Sequence, residues 1–541
     1  MSQKDASPFN GSFASPGVES PHQSIEGFSI SPDVEFSHQS IETSLSTIGQ
    51  AAARKVDIIA QIQALVPIGA PEPTEPVLIA QLKGLTQALI SAYKAEGCLQ
   101  GDPFYDAWTR NIHLYEEDVR TELRGQRILV TGGEGYVGRH LIEALAALGA
   151  GRVVSVDKVR CHPDLPANRL LDEGMMGEMA IAHYAVDMRD PATLEQVFAA
   201  EKPDLVFHLA AQRLPGLAEI QIHETTTSNI LGTRNLIRLC EAYGVQKCIF
   251  SSTGKASRYY TGEVYAASKK LCEWQFAQAA ELGKVTYAMV RFTHMLNNSS
   301  FCEQFEDKIA QERPINVHAP NRFIVGQNIG EAVQLLLNAL VFAEPKKLKF
   351  VLCRNLGWPT ETLEVALHKI LESGKDLFIY FQGVPVGYEE PLFRGQIDWD
   401  NPSELNTLIN AAEILSRHFD PVGHMLVAEL TPFCTKTLGD HLTAIEAATQ
   451  DPELPEADIK RVVEEAVLAI ATTSFAHVPP EVILKILKWG MNPNYCREEK
   501  IPPKVLQNIV MALMQGLNQG LTQTLDHCVE LVSRLYAPNP V

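Results

Sequence analysis

A chain of 541 residues is too long for one ordinary core and calls for two or three domains. Its 45% apolar and 21% charged content is that of a globular protein, while a formal net charge of −19 argues against the basic face that non-specific nucleic-acid or anionic-membrane binding needs. Ten cysteines without a C-x-x-C pair argue against zinc and disulfide frameworks. With no signal-peptide pattern or transmembrane-length apolar run, the expectation is a cytoplasmic protein without membrane insertion.

Residues 1–50 are rich in Ser, Pro, Gly and Gln, hold little to bury, and are expected to be disordered. His-Gln-Ser-Ile-Glu occurs at His22–Glu26 and again at His38–Glu42. It reads either as a motif for a protein partner or, more simply, as a local duplication in a drifting tail. Helical spacing follows over Ala51–Leu65, Val77–Ala95 and Pro103–Leu123, broken by prolines at Pro67–Pro76. These segments form a helical lead-in over 51–124, expected to pack on the main domain and carrying no chemistry of its own.

The stretch Arg127–Gly138 comes next. Ile128, Leu129 and Val130 make a short apolar run suited to a buried parallel strand, and Gly132, Gly135 and Gly138 punctuate the turn after it. Tyr136 and Val137 open a helix whose apolar face continues through Leu141, Ile142, Leu145 and Leu148. Strand, glycine turn and helix N-terminus together form a site for a dinucleotide pyrophosphate.

Apolar strands recur at Arg152–Val156, Ile181–Val186, Asp204–Ala211, Lys247–Ser252 and Val285–Phe292. Helical patterns fall between them at Pro191–Ala200, Thr225–Tyr243 and Val264–Leu282, which predicts a doubly wound parallel α/β sheet of Rossmann type over 125–296. A small mixed substrate region over 297–395 and an all-helical C-terminal domain over 396–541 complete the expected architecture. Asp157, at the end of the second strand, is placed to accept both ribose hydroxyls of NAD; Lys158 and Arg160 just beyond it leave NADP open. Asp187, at the next strand end, is placed for the adenine amine.

Tyr265 and Lys269 lie four residues apart at the start of a helix and share a face. A phenol that normally titrates at about 10 is lowered by an ammonium and a nicotinamide charge, so Tyr265 can exchange a proton with a substrate hydroxyl as hydride moves. Lys269 is also placed to hold the nicotinamide ribose. Ser251-Ser252-Thr253 ends the preceding strand and offers a second hydroxyl, Thr253 being favoured and Ser252 the alternative.

These pieces resemble the extended short-chain dehydrogenase/reductase superfamily: TGGEGYVG at Thr131–Gly138, HLAA at His208–Ala211, Asn229 in SNILGTRNLI, SST at Ser251–Thr253, YAASK at Tyr265–Lys269 and VRF at Val290–Phe292. Within it the chain is similar to the polysaccharide-biosynthesis branch of UDP-N-acetylglucosamine dehydratases and epimerases, through PNRFIV at Pro320–Val325, GEAVQLLLNAL at Gly330–Leu340 and a closing element at Gly383–Phe393. The resemblance implies that Leu209, Ala210, Ala211 and Asn229 also line the cofactor. It places Arg213 and Arg322 on the substrate side, Arg322 pairing with a nucleotide diphosphate. It implies transient oxidation of a sugar hydroxyl, with the cofactor regenerated in place.

Two departures bear on the reaction. Where the branch's dehydratases carry Thr-Asp-Lys this chain has Thr253-Gly254-Lys255, which moves weight from dehydration to epimerisation or simple redox; Lys255 remains as an acid or base if burial lowers its pKa. In the closing element, Tyr388 stands where the first Glu is usual. Other readings are an oxidoreductase of a non-sugar alcohol or ketone, and a partner-binding scaffold on a nucleotide fold. A homo-oligomer is expected, with the tail or C-terminal helices as candidate partner surfaces. His418, His424 and His441 lack metal-site context and are expected to be ordinary surface or core residues, so no metal is expected.

Overall fold

The computed structural model describes residues 54–158, 170–296, 300–401, 404–498, 501 and 503–518. The repeated pentapeptide and Arg160 lie outside the described residues. Strands of the main sheet are β1 (Arg127–Thr131), β2 (Arg152–Asp157), β3 (Leu170–Met176), β4 (Met179–Ala185), β5 (Leu205–His208), β6 (Lys247–Thr253), β7 (Thr286–Phe292), β8 (Lys349–Cys353), β9 (His418–Phe419) and β10 (Met425–Glu429). They run in the order β9-β10-β8-β7-β6-β5-β1-β2-β4-β3. From β8 to β4 every neighbour is parallel, and the strand order reverses between β1 and β5, the place where a doubly wound sheet opens a crevice at its strand C-termini.

The central strands are buried on both faces, as their continuous Val, Ile, Leu and Phe runs require. The covering helices include α2 (Tyr136–Ala147), α3 (Pro191–Glu201), α4 (Gly232–Ala242), α5 (Val264–Leu282) and α6 (Ile329–Phe342), while α1 (Pro76–Ala95) and α7 (Thr362–Ser373) pack in the substrate region. Their ends follow local chemistry. Asp190 accepts from the N–H groups of Ala192 and Thr193 to start α3, and Gly283, with a left-handed φ of 66°, stops α5.

Three features differ from the sequence expectation. The sheet has antiparallel edges: β3 forms a hairpin with β4, and β9 and β10 extend the other side through β8. The segment beyond 396 is therefore not all helical; its first part gives two strands to the sheet before the helices begin. The predicted helix over Pro103–Leu123 is two helices, Tyr105–Thr109 and Glu116–Leu123, because Arg110 turns inward to the Glu331 carboxylate on α6 and to the carbonyls of Leu356 and Gly326. The first lead-in helices pack on the substrate region: Ile58, Ile62, Leu82 and Leu89 share a core with Ile315, Leu363 and Ile379. Val119 and Leu123 belong to the main core.

Beyond the strands come α8 (Thr435–Gln450), α9 (Glu456–Phe475), α10 (Pro480–Gly490) and α11 (Pro503–Asn518). Ile470 and Leu513 from these helices share one core with Leu271 and Trp274 of α5. The junction is also ionic. Arg291 at the end of β7 is fully buried and donates to both oxygens of Glu273 on α5 (2.8 and 2.7 Å), to both oxygens of Glu413 (2.8 Å each) and to Leu408 O (2.8 Å). Among the described residues no helix is long and apolar enough to cross a membrane.

Arg291→Met leaves two buried carboxylates without their cation, a loss of about 3–5 kcal/mol for a broken buried pair. The full chain is expected to show this as an early midpoint in chemical denaturation, and a midpoint within error of wild type contradicts the role assigned to the pair.

Candidate functional site

The glycine turn lies where β1 and β5 part. Gly132 has φ 72°, and a Cβ on it would meet Ala210 N at 2.7 Å and the Leu209 carbonyl carbon at 2.9 Å, so the turn is seated directly on the segment after β5. A Cβ on Gly138 would run into Gly132 O and meet Gly133 Cα at 2.8 Å. Gly135 is the N-cap of α2, and Tyr136 and Val137 form its first turn. This cradle of bare backbone at a helix N-terminus fits a dinucleotide pyrophosphate. Beneath it, Thr131 Oγ1 and Thr233 Oγ1 bracket the His208 ring at 2.8 and 3.0 Å; burial, with Lys269 nearby, pushes that imidazole down to about 3 and keeps it neutral.

Asp157 ends β2 beside the turn and accepts from the Glu134 N–H at 3.2 Å. Glu134 was not singled out from sequence. Its carboxylate meets His183 Nδ1 at 2.9 Å and Ser155 Oγ at 3.4 Å, so two acids stand at this end of the cleft. Lys158 is drawn to Glu224 at 2.6 Å. Asp187 is held by Arg189; burial raises its carboxyl, but the Arg189 bonds outweigh that and leave it below its ordinary value.

At the other end, Thr253 ends β6 beside Tyr265, and its hydroxyl acts to lower the Tyr265 phenol. Burial pushes the Tyr265 phenol up to about 12 against the lowering by Thr253 and Arg213. Lys269, one turn along α5, is buried, with Nζ 4.1 Å above the centre of the Phe250 ring, and burial pulls it down to about 8. Ser252 is turned away: its hydroxyl donates to Glu273 at 2.6 Å. Neighbouring side chains on a strand point to opposite faces, so only one of the two hydroxyls can meet Tyr265. Asn229 lies in a widened helical turn at Thr226–Leu231. Buried, it accepts from Gln212 N at 2.8 Å and donates to Gln212 O and Ser268 Oγ at 3.1 and 2.9 Å, bracing the segment after β5 against α5.

A Cβ on Gly254 would meet Leu408 Cδ2 from the segment after the substrate region, so a side chain there requires the buried Leu408 side chain to shift. Lys255 donates to Glu263 Oε2 at 2.5 Å and to Gly387 O at 2.9 Å; burial lowers its ammonium and Glu263 opposes the shift. Arg258 reaches Glu263 and Glu390 at 3.0 and 2.7 Å, so the stretch before Tyr265 binds the closing element. Arg213 acts electrostatically on both Tyr265 and Tyr388, and Arg322 on His318, so these residues share one cleft mouth. Leu408 and Glu413 were not read from sequence, since no local pattern marks them, and Glu390 was covered only as part of the closing element Gly383–Phe393.

A family model described as polysaccharide biosynthesis protein matches residues 128–384. The chain is 24% identical over 322 residues to a probable polysaccharide biosynthesis protein of Bacillus subtilis, covering 58% of this chain and 51% of that one. It is 30% identical over 236 residues to an uncharacterized membrane protein of Methanocaldococcus jannaschii, covering 42% and 67% respectively. A third match, 34% over 126 residues, is to a UDP-glucose 4-epimerase of Oryza sativa, covering 23% of this chain and 31% of that one. The chain spans about half the length of the first two curated relatives it matches.

Lys269 and its neighbour Lys270, whose ammonium donates to Ala256 O at 3.0 Å, both titrate at about 8 when folded, against 10.5 when free. Between those values the unfolded chain binds more protons than the folded one, so their contribution to stability rises with pH across that window. Denaturant midpoints are expected to rise from pH about 8 toward about 10, and the rise to shrink in Lys270→Met. A pH-independent difference between the two proteins contradicts the burial assigned to this ammonium.

Proposed function

This chain belongs to the polysaccharide biosynthesis protein family, and from that premise we propose that it is a nicotinamide-dependent enzyme that transiently oxidises a nucleotide-linked sugar, favouring epimerisation over dehydration. The observation that carries the proposal is Tyr265 beside Thr253, with Lys269 buried on the same helix, at the end of the parallel sheet where the glycine cradle also opens. Gly132, Gly135 and Gly138 with the start of α2 would hold the pyrophosphate, Asp157 a ribose, and Lys269 the nicotinamide ribose. Bound there, the nicotinamide supplies a hydride acceptor and donor. The paired acids Asp157 and Glu134, and the capture of Lys158 by Glu224, favour NAD over a 2′-phosphorylated cofactor.

Tyr265 Oη takes the proton of a sugar hydroxyl lying between it and Thr253 Oγ1, and gives it back when the sugar is reduced again. Burial pushes the phenol up to about 12, so the cationic nicotinamide and the Lys269 ammonium are needed to bring it toward the working range. Arg213 and Arg322 stand at the mouth, where a nucleotide diphosphate would pair with them. Dehydration is disfavoured because Leu408 fills the space in which an acid at 254 would act, and Lys255 is engaged with Glu263 and Gly387.

Purified full-length chain supplied with NAD is expected to convert UDP-N-acetylglucosamine or UDP-glucose with no net change in nicotinamide absorbance. Tyr265→Phe is expected to lose about 10²- to 10⁴-fold in rate while still binding cofactor. Stoichiometric cofactor consumption supports the non-sugar oxidoreductase instead, and absence of both turnover and cofactor binding removes the enzyme reading. Gly254→Asp, which drives a carboxylate into Leu408, is expected to cost about 1–3 kcal/mol, most of it recovered on combination with Leu408→Ala. A Gly254→Asp chain as stable as wild type shows that the site has room for an acid after all.

A further inference from the structure

Tyr388 is more firmly placed than a surface residue of a loop would be. Gly387 before it has φ 85°, and a Cβ there would meet Pro215 O at 2.7 Å and Pro215 C at 2.8 Å, so the backbone lies flat on the short helix Pro215–Ala218. The Gly387 carbonyl is taken by Lys255 Nζ at 2.9 Å. Just beyond, the Glu390 carboxylate accepts from Arg258 at 2.7 Å and Thr261 at 2.5 Å, and the Glu390 N–H donates to Glu263 at 3.3 Å. Both sides of residue 388 are thereby tied to the stretch that leads into Tyr265.

The ring itself keeps 36% of its surface exposed. Lys255 Nζ sits 5.0 Å from its centre, and the His318 ring lies 6.1 Å away, inclined at 48°. Tyr265 and Tyr388 interact electrostatically, and the Arg213 cation acts on both phenols. A rigid aromatic ring, clamped in place and half open beside a hydroxyl-binding phenol, presents an apolar plane with a polar tip, with only two side-chain torsions to order on binding. The C–H face of a pyranose matches that plane, while its hydroxyls reach Thr253 and Tyr265.

We propose that Tyr388 is a substrate-positioning residue that carries the ring of the sugar, so that the closing element reads the sugar and not the nucleotide. The inference rests on the nucleotide-sugar reading above. It distinguishes this site from one with a carboxylate at 388, which would accept sugar hydroxyls and offer no apolar plane.

The test compares binding of UDP-N-acetylglucosamine and of UDP alone to the full chain loaded with NAD, by calorimetry, alongside steady-state kinetics. Tyr388→Ala is expected to weaken UDP-N-acetylglucosamine about tenfold or more and to leave UDP within about twofold. KM is expected to rise about tenfold while kcat falls by less than about threefold. Tyr388→Phe, which keeps the ring, is expected to restore most of the sugar's contribution. Equal weakening of both probes, no weakening of either, or a fall in kcat at unchanged KM overturns the assignment. Tyr388→Phe as weak as Tyr388→Ala overturns the role of the ring face. A wild-type chain that binds NAD and UDP yet gains nothing from the sugar overturns this inference and leaves the cofactor site standing; one that binds neither nucleotide overturns both readings.

Discussion

Everything at the open end of the sheet is referred to the buried guanidinium of Arg291. A cation with no exposure survives in a protein interior only where its charge and its donors are met, and here two carboxylates and a carbonyl meet them. The partners come from different parts of the chain: Glu273 from the helix that carries Tyr265 and Lys269, Glu413 from the stretch that follows the substrate region. Glu273 also holds Ser252, the neighbour of Thr253. One desolvated charge therefore ties the end of β6 to the face of α5, and with it the approach of Thr253 to Tyr265.

Burial sets the chemistry of the cleft as much as its shape. Desolvation penalises charge, so it raises the Tyr265 phenol, lowers the Lys269 ammonium and keeps His208 neutral. The phenol is left protonated and the ammonium is brought near its titration range. A cationic ring brought into the cleft would lower the phenol, the direction that proton exchange requires. The cleft's other end is built in the opposite sense, with the acids Asp157 and Glu134 beside the turn and Lys158 held by Glu224.

The C-terminal part of the chain is structurally bound into this arrangement. It supplies two strands to the sheet, a core shared with α5, the Glu413 half of the ion pair and the Leu408 side chain packed against Gly254. The stretch from Lys255 to Glu263 serves the same economy of contacts on the other side, since its charges hold the closing element through Gly387 and Glu390. Residues that look like spare acids and bases are mutual partners here, and their pairing places Tyr388.

The amino-acid sequence determined what short-range chemistry can determine. β-branched runs with glycine at the turn made β1 and its cradle legible, alternating strand and helix periods gave the parallel sheet, and a four-residue interval put Tyr265 and Lys269 on one helical face. The antiparallel edges β9 and β10 were not legible, because edge strands take their identity from the neighbour that pairs with them. Nor was the choice between Ser252 and Thr253, which alternation assigns only once the position of Glu273 is known. The bond from Lys255 to the Gly387 carbonyl and the crowding of Gly254 by Leu408 depend on residues more than a hundred positions away, and a contact over that distance leaves no periodicity behind. Local propensity wrote the sheet and the candidate dyad; packing between distant segments decided which hydroxyl faces the phenol and which charges are spent on structure.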